Sequence, residues 1–220
     1  MQIELKNISK TYSKNDIKVN ALKDINICID KGELVAIVGT SGSGKSSLLN
    51  IIGCIDKGYE GEYILNGKRI DLYKDEELAL CRNKIFGFVL QYYGLLNNET
   101  VFDNIKLPLI YAKKKEKANK VKEMLKKFNI EDKSQCKPTE LSGGQCQRVA
   151  IARALINEPE IILADEPTGA LDKRTSKEVM DILIELNKEG KTIIIVTHDE
   201  KIANQCNRII RIEDGIIEEN

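Results

Sequence analysis

The chain has 220 residues, enough for one large domain or for a core carrying a lobe. Its 34 lysines and arginines are matched by 34 aspartates and glutamates, and a formal net charge of zero excludes bulk electrostatic attraction to nucleic acid or to an anionic membrane surface. No apolar run approaches the roughly 18 residues of a membrane-spanning helix, and the opening MQIELKNISK alternates like a strand where a signal peptide would be apolar. Six cysteines (Cys28, Cys54, Cys81, Cys136, Cys146 and Cys206) lie scattered without a CxxC pair, and His198 is the single histidine. Disulfides and a zinc site both fit poorly, and a cytoplasmic chain with reduced thiols is expected.

In chain order, residues 2–12 and 23–29 read as strands by alternation and β-branched content, and Glu33–Val38 as a buried strand. Lys45–Gly53 reads as a helix, and Gly61–Leu65 and Phe86–Val89 as further strands. From about Val101 to Leu155 the helical period dominates. Ala118, Val121, Leu125 and Phe128 follow a 3-4-3 spacing that predicts one apolar helix face, opposite a lysine-rich one. The run Lys113–Lys117 belongs to such a solvated face rather than to a nucleic-acid patch, and no nucleic-acid partner is expected. Glu160–Asp165 and Thr192–Thr197 are short, apolar and β-branched, the pattern of strands covered on both faces, with a helix from about Thr175 to Lys188 between them. Asp214-Gly215, between IIRIE and IIEE, is a hairpin signal. Together these predict an α/β fold in one domain over 1–220: a core with a mainly parallel sheet from 1–91 and 157–220, and a helical subdomain inserted at about 92–156.

The stretch GTSGSGKSS follows the apolar run LVAIV and contains nothing that could pack a core. It fits G-x-x-x-x-G-K-[ST], with Gly39, Gly44, Lys45 and Ser46 in the fixed places. Glycines let the backbone take φ > 0 and turn its N–H groups towards phosphate oxygens, and the following helix adds its free N-terminal N–H groups. The segment Gly39, Thr40, Ser41, Gly42, Ser43, Gly44, Lys45, Ser46 and Ser47 is therefore the expected phosphate cradle, with Lys45 at the β/γ-phosphates and the Ser46 hydroxyl on Mg²⁺. A plain flexible turn would not have a strand before it and a helix after it. Asp165, ending IILAD, is placed to hold Mg²⁺ through its water shell, and the adjacent Glu166 to orient an attacking water.

Phosphate loops serve many enzymes, and LSGGQ, Leu141–Gln145, narrows them. It resembles the signature sequence of ABC-type ATPases, and CQRVAIARAL after it resembles the helix that follows that signature. The resemblance covers essentially the whole chain. It implies a phosphate-loop core with an antiparallel β subdomain and the helical subdomain, with ATP and Mg²⁺ as ligands. It further implies that Ser142, Gly143, Gly144 and Gln145 face the γ-phosphate held by a second copy. Gln91 matches the family glutamine that reaches Mg²⁺ and the attacking water, and Asp172 in GALD matches the loop that crosses the dimer interface. His198 matches the switch histidine at the γ-phosphate, and Tyr12 in ISKTYS matches the aromatic that stacks on adenine. Stacking uses the ring face, so the Tyr12 hydroxyl is expected to be idle.

Within that family, GCID (53–56), GEYILNG (61–67) and GFVLQYYGLLNNETVFDNIKLPL look most like the group serving lipoprotein release, macrolide export and antimicrobial-peptide export. Cys136 and Cys146 depart from it, standing where a histidine and a glutamine are common. DNA-repair relatives need a long coiled coil between Lys45 and Leu141, for which there is no room, and translation-factor relatives carry two cassettes. A GTPase would need Asn-Lys-x-Asp, and Asn187-Lys188-Glu189-Gly190 lacks the aspartate. The expectation is an ATPase subunit at the inner face of the membrane. It would drive a separate permease as a head-to-tail dimer around two ATP molecules, in export or extraction of a peptide, lipoprotein or drug, with amino-acid import as the alternative. The permease contacts the substrate, so the sequence names none.

Overall fold

The computed structural model describes residues 1–14, 17–114 and 117–218. Lys115 and Glu116 of the lysine run, and the last glutamate of IIEE, lie outside them. The elements begin with β1 (Ile3–Lys14), β2 (Ile17–Ile29), β3 (Leu34–Val38), α1 (Lys45–Ile52), β4 (Glu60–Leu65) and β5 (Lys68–Arg69). There follow α2 (Asp75–Ile85), β6 (Phe86–Leu90), α3 (Val101–Tyr111), α4 (Lys117–Lys127) and α5 (Gly143–Leu155). The chain closes with β7 (Ile161–Asp165), α6 (Lys173–Lys188), β8 (Thr192–Thr197), α7 (Glu200–Ala203), β9 (Arg208–Glu213) and β10 (Ile216–Glu218).

Two sheets share these strands. An antiparallel sheet runs β2-β1-β4-β5, and a six-stranded sheet runs β10-β9-β3-β8-β7-β6, parallel except for β10 at its edge. The apolar runs of β3, β7 and β8 are explained by burial on both faces. Successive side chains point to opposite sides, so Ile161, Leu163, Ile194 and Val196 enter one core with α1 and the antiparallel sheet. Ile162, Ala164, Ile193 and Ile195 enter a second core with α3, α4, α5 and α6. Val149 and Ile151 of α5 are fully buried in this second core, so the helices of 92–156 rest on the main sheet and have no core of their own.

The β9–β10 turn is the two-residue loop its sequence announced. Asp214 and Gly215 have φ of 47° and 78°, the paired positive angles that match the twist of a hairpin. Elsewhere the expectations need correction. Helix α2 was not anticipated: one residue of it, Leu78, is buried, so it carries almost no apolar period. It starts instead on Asp75, Glu76 and Glu77 at the positive end of its dipole. Ala118 is exposed, and the buried face of α4 is Val121 and Leu125, continued by Phe128 just past the helix end. Strands β1 and β2 run further than alternation showed, because bulges at Ile8 and Lys10 interrupt the period of two.

Candidate nucleotide site

Strand β3 is buried throughout and delivers the chain to Gly39 at its C-terminal end. A side chain at Gly39 would put its Cβ 2.1 Å from the Ile212 carbonyl of β9, so only glycine lets the loop leave the sheet there. Gly44 caps α1 with φ 104°, a left-handed turn that aims the free N–H groups of the first helical turn back into the loop. Lys45 is 8% exposed, and its ammonium donates to the Gly39 and Thr40 carbonyls at 2.9 and 2.6 Å. An ammonium has three donors, so one remains for an anion in the loop. Ser43 Oγ is buried with no hydrogen-bond partner, an orphaned hydroxyl inside the cradle. A phosphate group fits this set of donors. Ser46 is exposed and Ser47 half-buried at the start of α1, while Ser41 and Gly42 form the exposed outer bend.

The neighbouring strands bring the other predicted residues to the same edge. Leu90 pairs with Asp165 in register, so Gln91 and Asp165 leave β6 and β7 side by side. Asp165 is half-buried: desolvation raises its carboxyl above the usual range, the Glu166 charge adds to this, and Lys45 offsets part of it. Glu166 takes φ of 45°, a strained angle for a non-glycine residue. Its N–H donates to the Val196 carbonyl at 2.9 Å and its carbonyl accepts from Gly169 N–H at 3.1 Å, which fixes the twist. The twist turns the carboxylate across to the end of β8. There Oε2 accepts from the Thr197 hydroxyl at 3.1 Å and Oε1 from the His198 backbone N–H at 3.0 Å. His198 Nδ1 lies 2.6 Å from Oε1, and since a carboxylate only accepts, Nδ1 carries the proton and Nε2 faces outward. His198, Gly39 and Thr40 line one open cleft of about 350 Å³. A Cβ on Gly169 would stand 3.1 Å from Gln91 Nε2, so the Gln91 amide reaches the same corner as Glu166. Among the described residues no group of three or more His, Cys, Asp or Glu is assembled for a metal. A cation here would need the oxygen donors of a phosphate chain in addition to Ser46, Gln91 and Asp165.

Tyr12 lies beside the cradle, 42% exposed. Its hydroxyl is engaged, contrary to the expectation that it would be idle: it donates to Asp56 Oδ2 at 2.9 Å and lies 3.3 Å from Ser47 Oγ. Lys10 sits over one ring face, 4.8 Å from the centroid. Asp56 and Lys10 were missed as site residues, although GCID held Asp56 and ISKTYS held Lys10. Thr197, at the end of TIIIVT, was missed because nothing local marks it apart from strand content. Arg153 was missed too. From the signature helix it donates to the Gly94 and Tyr93 carbonyls at 2.5 and 2.8 Å and so holds the turn beyond Gln91.

The signature residues stand apart from the cradle. Ser142 caps α5 reciprocally with Gln145: Oγ accepts from Gln145 N–H at 3.3 Å, and Ser142 N–H donates to Gln145 Oε1 at 2.9 Å. The space around Gly143 and Gly144 belongs to Tyr93, Leu171 and Thr175, where a Cβ on Gly144 would meet Thr175 Cγ2 at 2.5 Å. Asp172 caps α6, accepting from the N–H groups of Arg174 and Thr175 and from the Thr175 hydroxyl, and these bonds, the hydroxyl's first, lower its carboxyl pKa. Ser142–Gln145 and Asp172 thus form a second cluster, joined through Thr175, and none of these bonds reaches the chain's own phosphate cradle. Cys146 is buried just beyond, its thiol against the Pro138 carbonyl at 3.4 Å, and burial raises its pKa. All six cysteines are free.

A glycine cradle and an acidic pair at the ends of parallel strands, with a separate capped SGGQ helix, define an ATP-binding cassette. The family model for the ABC transporter matches residues 22–169, and the chain belongs to that family. It is 49% identical over 98% of its length to the macrolide export ATP-binding/permease protein MacB of Mannheimia succiniciproducens, of which it covers 34%. The chain thus spans about a third of the length of that relative. It is 48% identical to the uncharacterized ABC transporter ATP-binding protein YknY of Bacillus subtilis, covering 98% of this chain and 94% of that one. Among solved structures, the ATP-binding cassette MJ0796, described as a dimer in a post-hydrolysis state bound to ADP and Pi, superposes with a TM-score of 0.92 at 45% identity, covering 99% and 97% of the two chains.

Proposed function

We propose that the chain binds ATP in the Gly39–Ser47 cradle, hydrolyses it from Glu166, and as a head-to-tail dimer drives a separate membrane permease in export. The observation that carries this is the split of the site into two clusters. The cradle, Asp165, Glu166, Gln91 and His198 gather at one sheet edge, while the helix start at Ser142–Gln145 is capped within itself and packs on Tyr93, Leu171 and Thr175, with no bond to a cradle residue. Lys45 and the loop N–H groups hold the phosphates, and Tyr12 stacks on the base. Ser46, Gln91 and Asp165 would hold Mg²⁺, which when bound neutralises charge on the β- and γ-phosphates. Glu166 orients the attacking water and takes its proton, with Thr197 and the His198 backbone keeping its carboxylate in place. The His198 ring contacts the γ-phosphate through an N–H donor, and Asp172 lies at the seam between copies. The similarity to an ABC transporter ATP-binding protein, matched over 94% of that protein's length, supports a permease on another chain, which would place this one on the membrane's inner face. No helix among the described residues is long and apolar enough to cross a membrane.

Glu166→Gln tests the reading. Its amide oxygen can still accept from His198 and its amide nitrogen can donate to Thr197, so the strained turn is kept while the base is lost. Turnover should fall by about 10²–10⁴, the usual share of a general base. ATP affinity should persist, with ATP-bound dimers seen on size exclusion. Near-normal hydrolysis would remove Glu166 as the base.

A further inference from the structure

Lys10 is a charged residue only 7% exposed, and the hydrolysis reading gives it nothing to do. Its ammonium is 2.6 Å from Asp56 Oδ1 and lies over the Tyr12 ring, 4.8 Å from its centroid. The second oxygen of Asp56 accepts the Tyr12 hydroxyl at 2.9 Å, and that hydroxyl is 3.3 Å from Ser47 Oγ in the first turn of α1. Gly58 N–H donates to Asp56 Oδ1 at 3.0 Å, and a Cβ on Gly58 would stand 3.0 Å from Lys10 Nζ. Burial alone would raise the Asp56 carboxyl. The bonds from Lys10, Gly58 N–H and Tyr12 outweigh it and hold the group below the usual carboxylate range.

We propose that Lys10 and Asp56 are positioning residues for the purine base: they lock the Tyr12 ring in one plane, cover one of its faces, and leave the other as the stacking surface. This rests on the reading of Tyr12 as the base platform. A tyrosine on an exposed strand turns about two side-chain torsions, and its ordering would otherwise be lost entropy on binding. Here the ring is held at both ends, by the cation at its face and by the carboxylate at its hydroxyl. The cation also draws π density from the covered side, which lessens the repulsion a purine ring meets on the open side. Asp56 keeps the cation in place, since a buried ammonium without a counter-charge would swing out to water. Through Ser47 the same network ties the base platform to the helix that carries Lys45, which fixes the span from base to phosphates.

Titration calorimetry with two ligands separates positioning from scaffolding. ATP carries base and phosphates, and inorganic triphosphate carries phosphates alone. Asp56→Asn, Lys10→Met and Tyr12→Phe should each weaken ATP binding by about five- to tenfold, the worth of one good polar contact. Affinity for inorganic triphosphate should stay within about twofold, which also reports a folded cradle. Asp56→Asn combined with Tyr12→Phe should cost no more than Asp56→Asn alone, because the Tyr12 hydroxyl acts through Asp56. Equal losses for both ligands, or unchanged ATP affinity, overturn the proposal. Tyr12→Ala distinguishes the two failures. If it weakens ATP while the Asp56 and Lys10 variants do not, the platform stands and the positioning falls. If it too leaves ATP affinity untouched, the platform reading fails and takes the proposal with it.

Discussion

Asp165 shows how a single residue can serve the site at a cost to the fold. Desolvation and the adjacent Glu166 charge raise its pKa above the value of an unfolded chain. The folded state therefore binds the proton more tightly. Its contribution to stability is present below the ordinary carboxylate pKa and is lost as pH rises through the raised value, so at pH 7 the ionised group destabilises the fold. Asp165→Asn should then raise stability at pH 7 by about 0.5 kcal/mol, the low end for relieving a functional site, because the half-exposed carboxylate is screened by water. The gain should shrink as the pH falls into the carboxylate range, where the wild-type group takes up its proton. Hydrolysis should fall in the same variant, with a higher Mg²⁺ requirement. Thermal melts at pH 7 and within the carboxylate range check the sign, and an equal gain at both would refute the electrostatic account.

At the scale of elements, the phosphate loop and the signature helix use glycine for different reasons, and the difference can be measured. At Gly39 an added Cβ would stand 2.1 Å from the Ile212 carbonyl, fixed backbone in the parallel sheet. At Gly144 the obstacle at 2.5 Å is the Thr175 methyl group, which can turn about one torsion. Gly39→Ala should therefore destabilise by about 2–3 kcal/mol, near the top of the range for overpacking, and Gly144→Ala by about 1 kcal/mol or less. Denaturant melts that rank them in the opposite order would show that the loop, and not the helix, is the part that yields. The elements legible in the sequence were those whose pattern reported their burial. LVAIV, IILAD and TIIIVT are apolar on both faces and became β3, β7 and β8. Helix α2, with Leu78 buried and ten other residues at the surface or part-covered, had no face to read. The candidate site was legible where spacing carries chemistry, at Gly39–Ser46 and Asp165-Glu166, and through the family resemblance at Ser142–Gln145. Lys10, Asp56 and Thr197 were not, because they act through partners 46, 44 and 31 positions away that only the fold brings near.

The whole molecule raises the question of which surfaces complete one active site. Each chain offers a phosphate cradle at the start of α1 and a second helix N-terminus at α5, where Ser142 and Gln145 cap one another and Gly143 and Gly144 leave room for Thr175, Tyr93 and Leu171. If two copies meet head to tail, each site takes its cradle from one chain and its signature from the other. Lys45→Ala removes the cradle's buried ammonium, and Ser142→Arg blocks the signature; loss of the Ser142 cap itself should cost about 1 kcal/mol of helix stability and leave the chain folded. Each variant alone should be nearly inactive, since both sites of its homodimer are damaged. Mixed, they form heterodimers in which the two lesions meet in one site, while the other joins an intact cradle to an intact signature. Soluble ATPase activity should then return on mixing, up to one working site per heterodimer. A site complete within one chain predicts no rescue at any mixing ratio, because every chain still carries its own lesion. Cysteines placed at Ser41 and Ser142, after replacement of the native thiols, read the same geometry without catalysis. Cys146 in particular must go, as it lies one turn from Ser142 on α5. An ATP-dependent bond between chains supports the shared site, and bonding confined to single chains rules it out even where activity is silent.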